Sequence, residues 1–355
     1  MTFSPLEKTL RRHVKTYQEY NASNCAELFS TPSSLEFHRF VAANRPVVIR
    51  GQGYREQIGA LERWSDDYLL RKMEEKLVDI SVDPTGNADS IVDGYFVEPA
   101  TVKMPFSNLL SNLQEEQDTT NPTSPVFYLQ SQNGNLADEY APLLEDVGTE
   151  GPAWARDAFG QPPDVANIWI GGSRSKTSMH KDPYENIYLV VRGSKEFILL
   201  PPSETYCLHE QTYPHASWSY SPDRHDDPFK LVPTTPTMTL PWIPIDPSIP
   251  LSDQDSIRFP RYALSRPMRV TLHPGDMLYL PALWFHHVSQ TPDYFHRGDE
   301  PTTGVKATIA VNWWTDMKYE GSFWSTIELN RRLVELLDAD SHEGDDQDHD
   351  DEDDE

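Results

Sequence analysis

From residue 125 onward, the chain is a succession of short apolar runs, rich in β-branched and aromatic residues and separated by turn signals. Runs of this length and composition indicate β-strands. Arg192-Gly-Ser and Pro274-Gly-Asp are typical of tight turns. Many short antiparallel strands and thirty prolines favour a sandwich or barrel over a helical bundle. We predict strands at 126–130, 166–170, 186–191, 195–200, 268–272, 277–280 and 308–314.

The sequence before residue 125 has a mixed pattern, and we assign 1–124 to an N-terminal α/β elaboration packed on a barrel of residues 125–317. Within the barrel, 205–267 is rich in Pro, Asp and Ser and is expected to contain a long excursion between strands. Residues 290–305 are expected to form a polar loop. The predicted N-terminal elements are helices at 5–20, 65–76 and 105–114 and short strands at 46–50 and 77–82.

The C-terminal part of the chain changes from an amphipathic pattern to a charged one. Apolar residues at helical spacing predict a helix within 318–337, which packs on its own domain or, alternatively, forms a homodimer contact. Residues 338–355 contain twelve acidic residues and no Lys or Arg. Because such a block repels itself, we predict a disordered tail that keeps the protein soluble or, alternatively, docks basic partners.

Charge and cysteine content narrow the function classes. The net charge of −26 argues against direct nucleic-acid binding, which needs Lys and Arg at phosphates, and favours a cationic substrate. Two cysteines imply no disulfide framework and a reducing compartment. No signal-peptide core or membrane-length apolar run is apparent. We expect a cytoplasmic protein, with the nucleus as the alternative, and no membrane association.

Two strand-like segments carry residues suited to metal chemistry. His180 and Asp182 are two residues apart, so on a strand both side chains point to one face. A second aromatic segment contains His286 and His287, of which alternation places only one inside, and the pattern alone leaves both open. Two His and one carboxylate form the facial triad of a non-haem Fe(II) oxygenase. Because such a triad must face an enclosed interior, we predict a small double-stranded β-barrel.

Lys195 follows a predicted turn and begins an apolar strand. A buried ammonium group there needs an anionic partner, and a dicarboxylate co-substrate would supply one. Four further histidines, at 209, 215, 225 and 296, lie in presumed loops and are expected to be exposed to solvent. Polar side chains on or beside predicted strands that could complete such a pocket are Tyr128, Thr177, Asn186, Tyr188 and Asn312.

The chain resembles the Jumonji C (JmjC) family of Fe(II)- and 2-oxoglutarate-dependent oxygenases. The resemblance is carried by Thr177-Ser-Met-His-Lys-Asp182, Gly193-Ser-Lys195 and Leu280-Pro-Ala-Leu-Trp-Phe-His286, and it extends over most of 1–330. It implies a jelly-roll or cupin-like double-stranded β-helix. It also implies that His286, rather than His287, joins His180 and Asp182 in binding Fe(II). Further matching segments are 44–50, 83–89, 127–132, 167–171, 240–247 and 310–314.

The resemblance also implies a co-substrate site and an activity. Lys195 is expected to pair with the distal carboxylate of 2-oxoglutarate, with help from Thr177 and Tyr128. Asn186, Tyr188 and Asn312 match positions around co-substrate and metal. Within the family, the chain is most similar to the small (3S)-lysyl hydroxylases of developmentally regulated GTP-binding proteins. This similarity implies O2-dependent hydroxylation of a lysine in a protein substrate.

Three other activities remain as alternatives. One is a metal-dependent endopeptidase that clips methylated histone tails, and another is an inactive binding module. A lysine demethylase has less support, because no reader domain or zinc module accompanies the predicted barrel.

Overall fold

The computed structural model describes residues 3–51, 58–118, 121, 123–130, 134–224, 227–250, 252, 257–297, 300–301 and 304–347. Its α-helices are α1 (Pro5–Tyr20), α2 (Ser34–Ala42), α3 (Ala60–Arg63), α4 (Asp66–Met73), α5 (Phe106–Asp118), α6 (Ala153–Phe159) and α7 (Ser322–Gln347). Its β-strands are β1 (Ala26–Leu28), β2 (Val47–Ile49), β3 (Leu77–Asp83), β4 (Asn87–Ala88), β5 (Ser90–Val92), β6 (Tyr95–Glu98), β7 (Ala100–Pro105), β8 (Val126–Leu129), β9 (Val165–Gly171), β10 (Lys176–His180), β11 (Tyr184–Arg192), β12 (Ser194–Leu200), β13 (Gln211–Tyr220), β14 (Phe229–Pro233), β15 (Thr239–Trp242), β16 (Met268–Leu272), β17 (Met277–Leu280), β18 (Phe285–Thr291), β19 (His296–Arg297), β20 (Glu300–Pro301) and β21 (Thr308–Asp316).

Two sheets face each other across a shared core. A nine-stranded sheet has the order β1-β2-β17-β11-β21-β9-β8-β3-β7, and a five-stranded sheet has the order β16-β12-β18-β10-β4. Tyr188 and Leu278 of the first sheet join Phe197 and Val270 of the second in one buried apolar cluster. The mainly β double-stranded β-helix is therefore confirmed.

Alternation along the strands separates this inner core from an outer one. In β9, Ile168 and Ile170 belong to the cluster that the helices cover, whereas Trp169 belongs to the cluster between the sheets. Helices α2 to α6 contribute large side chains such as Phe37 and Trp154 to the outer cluster. Helices therefore cover the outer face of the nine-stranded sheet. Its inner face lies opposite the five-stranded sheet, so side chains on that face can line an enclosed site.

The N-terminal region is part of the sheet rather than a separate layer. Strands β1 and β2 extend one edge of the nine-stranded sheet, and β3 and β7 form the other edge. The buried Arg192 guanidinium of β11 also bonds the Asp66 carboxylate of α4 at 2.7 Å. The predicted boundary at 124/125 therefore falls within one continuous sheet.

Most predicted elements are present, because their local signals are strong. All seven predicted barrel strands form; two have the predicted ends, and the ends of the others are shifted by at most two residues. Helix α1 has the predicted bounds, since Ser4 caps its first turn by accepting from Glu7 N and Leu10 and Val14 are buried. The predicted helices at 65–76 and 105–114 correspond to α4 and α5.

Three regions differ from the expected pattern. The excursion at 205–267 lies between β12 and β16 as predicted, but it contains strands β13, β14 and β15. These strands pair with β5 and β6 of the N-terminal region in a third sheet of order β14-β13-β6-β5, with β15 against β13. In the expected loop at 290–305, β18 continues to Thr291 and β19 pairs with β20; residues 298–299 and 302–303 lie outside the described residues.

Helix α7 continues to Gln347, so the prediction of disorder from 338 is wrong up to that residue. The rest of the predicted tail, 348–355, lies outside the described residues. Val334 of α7 packs in a buried cluster with Leu10 and Val14 of α1, so this helix packs on its own domain. The homodimer contact stays a prediction. Within the described residues, no helix is long and apolar enough to span a membrane.

Candidate metal centre and its cavity

Strand pairing brings the two predicted histidine segments together. Strands β10 and β18 are antiparallel neighbours, and His180 and His286 are direct partners in their register. Asp182 follows β10, and its Oδ2 lies 3.7 Å from His180 Nε2 and 3.6 Å from His286 Nε2. One ligand atom from each of the three residues lies within 4.8 Å of the others. These distances allow the three side chains to contact one ion.

Hydrogen bonds fix the ring nitrogen that each histidine presents to the centre. Nδ1 of His180 lies 2.8 Å from the carbonyl oxygen of Ser178, and Nδ1 of His286 lies 3.0 Å from that of Trp284. Because a carbonyl oxygen only accepts, Nδ1 carries the proton and Nε2 keeps a free lone pair. Burial, and then the neighbouring His180, lowers the pKa of His286 to about 4, so this imidazole is neutral at pH 7.

His287 lies on the opposite side of β18 and is not part of this group. It is almost fully buried in a small cavity of about 80 Å³, and its Nε2 lies 3.9 Å from Asp246 Oδ1. The alternative that alternation left open is thereby resolved in favour of His286 as the residue that faces Asp182.

The three residues line a cavity of about 530 Å³ between the sheets. All other predicted site residues line the same cavity, so the structure brings the complete predicted set together. These residues are Tyr128, Thr177, Asn186, Tyr188, Lys195 and Asn312.

Lys195 is an almost completely buried basic side chain in this cavity. It is 2% exposed, and its Nζ donates to the Tyr128 hydroxyl at 3.2 Å. Burial lowers its pKa to about 7. Among the described residues, no carboxylate forms an ion pair with Lys195. Because an isolated buried charge is costly, this end of the cavity fits a carboxylate ligand.

Hydrogen bonds connect the side-chain amides of Asn186 and Asn312 on the inner face of the nine-stranded sheet. Trp169 Nε1 donates to Asn312 Oδ1 at 2.8 Å, and Asn312 Nδ2 donates to Asn186 Oδ1 at 3.1 Å. Tyr188 is the register partner of Asn312, and burial raises its pKa well above the ordinary value, so its hydroxyl stays neutral. This chain of contacts makes a rigid polar wall beside the candidate metal ligands.

The third sheet supplies cavity residues that the sequence patterns do not single out. Trp242 stacks parallel to His180 with ring centroids 6.1 Å apart, and its Nε1 donates to Ser178 Oγ at 3.0 Å. Phe96 packs against Trp242 at 4.4 Å, and both line the cavity. Only pairing of β6 with β13 places this wall beside β10, and no local signal indicates that pairing.

Two expectations for the other histidines are wrong. His209 is 7% exposed, and its Nε2 accepts from the backbone N–H of Arg261 at 3.2 Å. His215 is partly buried and lines the metal-site cavity. His296 is exposed as expected, and His225 lies outside the described residues.

Comparison with known proteins identifies the family. A cupin-like domain model matches residues 32–321. The chain is 36% identical over 290 residues to the human bifunctional peptidase and (3S)-lysyl hydroxylase JMJD7, covering 81% of this chain and 83% of the relative. The chain belongs to the JmjC family. JmjC proteins depend in general on iron and 2-oxoglutarate, so the protein is a 2-oxoglutarate-dependent oxygenase.

Two further JmjC relatives have similar coverage. JmjC domain-containing protein E of Dictyostelium discoideum is 35% identical over 307 residues, 82% of this chain and 84% of the relative. The lysine-specific demethylase JMJ32 of Arabidopsis thaliana is 37% identical over 299 residues, 82% of this chain and 81% of the relative.

Proposed function

We propose that this JmjC protein is an Fe(II)-dependent protein hydroxylase that adds a hydroxyl group at C3 of a lysine side chain. The observation that carries the proposal is the convergence of His180, Asp182 and His286 in the cavity that also holds the unpaired Lys195. Further support comes from the similarity to a human relative whose name includes (3S)-lysyl hydroxylase.

In this proposal, the residues of the cavity divide into two groups. His180 and His286 would hold Fe(II) through Nε2, and Asp182 through its carboxylate. Lys195, with Tyr128 and Thr177, would bind the distal carboxylate of 2-oxoglutarate. The remaining positions, Asn186, Tyr188 and Asn312, would surround the co-substrate and the metal.

The protein contributes position and exclusion of water. When bound, iron, 2-oxoglutarate and O2 supply the oxidative chemistry, which yields succinate and CO2 and places one oxygen atom in a substrate C–H bond. The hydrogen bonds to Ser178 and Trp284 orient the two imidazoles before any ligand arrives. Aromatic walls at Trp169 and Trp242 limit access of water to the centre.

The substrate in this proposal is a protein that presents a lysine, and a developmentally regulated GTP-binding protein is the candidate to test first. We also propose a cytoplasmic location, with the nucleus as the alternative. A cationic side chain suits the acidic chain, whose net charge is −26.

A peptidase is the second candidate, because the name of the human relative also includes that activity. A demethylase is the third, because the Arabidopsis relative is named for it. The three activities leave different products. A peptidase leaves two fragments, a demethylase removes a methyl group, and a hydroxylase leaves an intact polypeptide with one added oxygen atom.

The experiment is intact-mass analysis of developmentally regulated GTP-binding proteins incubated with the full chain, Fe(II), 2-oxoglutarate and air. Hydroxylation predicts a gain of one oxygen atom that requires 2-oxoglutarate and is lost with His180→Ala. His296→Ala is the matched control, because His296 is an exposed histidine outside the cavity. Cleavage of the polypeptide without 2-oxoglutarate would refute the hydroxylase proposal.

A further inference from the structure

Asp89 lies directly beside the strand that carries His180. It follows β4, which pairs with β10 in parallel, with Ala88 opposite Thr177. The Ser178 hydroxyl donates to the backbone carbonyl oxygen of Asp89 in a short hydrogen bond. The Asp89 side chain lines the same cavity as the candidate metal ligands. Its position is therefore fixed relative to the metal centre by the sheet itself.

Glu98 is the second carboxylate near this position. In the antiparallel pair of β5 and β6, Ser90 is opposite Val97, so the residue before Ser90, Asp89, and the residue after Val97, Glu98, lie at the same end of the hairpin. Glu98 also lines the cavity, and its side chain is 54% exposed. Both carboxylates therefore belong to the lining of the cavity that holds the candidate metal ligands, and Glu98 is in contact with solvent.

Among the described residues, neither Asp89 nor Glu98 has a Lys or Arg partner. Glu98 Oε2 lies 3.4 Å from His215 Nε2, a group that is charged only when it is protonated. Within the described part of the chain, Asp89 forms no ion pair with Lys or Arg, and Lys195 pairs with neither carboxylate. Two carboxylates that line one cavity repel each other when both are charged. A cation bound between them would relieve that repulsion.

The wall next to the carboxylates is aromatic. Phe96, two residues before Glu98, packs against Trp242 at 4.4 Å, and Trp242 stacks on His180. A lysine side chain has the matching composition, with an apolar methylene stem and an ammonium group at its end. The aromatic pair would cover the stem, and the carboxylates would bind the charged end.

We propose that Asp89 and Glu98 bind the ε-ammonium group of the target lysine and make the enzyme selective for a charged, unmodified lysine. This inference rests on the proposed function, because it places the substrate lysine in the metal-site cavity. Acetylation removes the charge that the carboxylates recognise, and trimethylation removes the N–H donors. Both modified side chains are therefore discriminated against.

The test uses the full chain with Mn(II) in place of Fe(II), without O2, so that binding is measured apart from reaction. The probes are single-lysine peptides of a developmentally regulated GTP-binding protein, with the lysine unmodified, acetylated or trimethylated. The variants are Asp89→Asn, Glu98→Gln and the double variant. Asn suits position 89, because its φ of +54° lies in the left-handed region that Asn tolerates.

Asp93→Asn is the matched control, since it makes the same change in the exposed turn of the same β5–β6 hairpin, outside the cavity lining. We expect the wild-type protein to bind the peptide with an unmodified lysine about tenfold more tightly than the peptide with an acetylated lysine. Asp89→Asn and Glu98→Gln should each reduce that ratio, and the double variant should bring it close to one. Asp93→Asn should keep it.

The inference would be overturned if the double variant kept the preference for unmodified lysine. It would also be overturned if the wild-type protein showed no such preference. Glu98 keeps the test decisive if Asp89→Asn fails to fold, since its side chain is largely exposed. Failure of the proposed function has a different signature. In that case the lysine preference depends on Asp89 and Glu98, but the Fe(II) protein adds no oxygen atom to the peptide.

Discussion

His180 and His286 are partners across one antiparallel strand pair, and their ring centroids lie 4.1 Å apart. The Nδ1 atoms of both rings lie within hydrogen-bond distance of backbone carbonyl oxygens two residues earlier, at Ser178 of β10 and at Trp284 just before β18. The two imidazoles are therefore placed by paired strands rather than by loops. This arrangement implies that metal ligands are largely preorganised before the ion binds.

Removal of one candidate ligand should abolish metal binding while the fold is retained. We expect His180→Ala or Asp182→Ala to weaken Mn(II) binding by more than about 100-fold, since loss of groups that only support ligands already costs 10–100-fold. Titration calorimetry measures the affinity, and thermal unfolding measures the fold. His296→Ala should bind as the unmodified protein does. Equal Mn(II) affinity in His180→Ala and the control would contradict the assignment.

Lys195 should matter for the co-substrate and not for the metal. We expect Lys195→Met to raise the KM for 2-oxoglutarate about 30-fold or more, because the carboxylate loses its buried counter-charge. The same variant should unfold at a higher temperature in the absence of 2-oxoglutarate, because it no longer buries an unpaired cation. Lys103→Met, at an exposed position, is the control. An unchanged KM would place the co-substrate elsewhere.

Co-substrate binding should depend on pH through Lys195. Burial lowers the pKa of this ammonium from its ordinary 10.5 to about 7, so above pH 7 the ligand-free protein holds it neutral. A dianion favours the charged form, so binding above pH 7 must take up a proton. Affinity should fall by up to about tenfold per pH unit above pH 7. Calorimetry in buffers of different ionisation enthalpy measures the uptake, which Lys195→Met should lack.

The pKa of Lys195 also makes the free energy of unfolding depend on pH, and the ordinary pKa of this group in the unfolded chain sets the direction. Between pH 7 and 10.5 the unfolded chain holds the Lys195 proton and the ligand-free folded chain does not, so this group increases the free energy of unfolding as pH rises through that range.

The pair between Arg192 and Asp66 tests whether the N-terminal region is part of the barrel. Arg192 is buried, and its guanidinium bonds Asp66 at 2.7 Å and the Val305 carbonyl oxygen at 2.7 Å. Asp66→Ala leaves the buried cation without its carboxylate and should lower the free energy of unfolding by about 3 kcal/mol.

Chemical denaturation measures this change against Asp67→Ala, which alters the exposed neighbouring residue in the same helix. Equal stability of the two variants would show that the pair does not tie α4 to the barrel.

The strands and the candidate ligands could be predicted from local patterns. His180 and Asp182 share a face because strand alternation has a period of two, and Lys195 stands out as a cation within an apolar strand. Alternation left His286 and His287 as alternatives. The deciding fact is the register of β18 against β10, a pairing across about a hundred residues that no local signal encodes.

Other cavity residues also depend on strand pairings between segments that are far apart in the sequence. Asp89, Glu98 and Trp242 reach the cavity through the pairing of β4 with β10 and of β6 and β15 with β13. Asp89 ends the matching segment 83–89, but neither carboxylate has the spacing to a histidine that distinguishes Asp182 among the 56 acidic residues of the sequence. Composition also misplaced the end of α7, since Asp338 forms a salt bridge with Arg261 at 2.7 Å instead of remaining free.

Isotope labelling tests whether the protein transfers an oxygen atom from O2 to a lysine side chain. A lysine-containing substrate is incubated with the full chain, Fe(II), 2-oxoglutarate and oxygen-18 gas, and its intact mass and succinate release are measured. We expect one oxygen-18 atom in an unbroken polypeptide, with one succinate formed per atom incorporated. Fragments of the polypeptide that form without 2-oxoglutarate would contradict the hydroxylase function, and so would an added oxygen atom that carries no oxygen-18 and therefore comes from water.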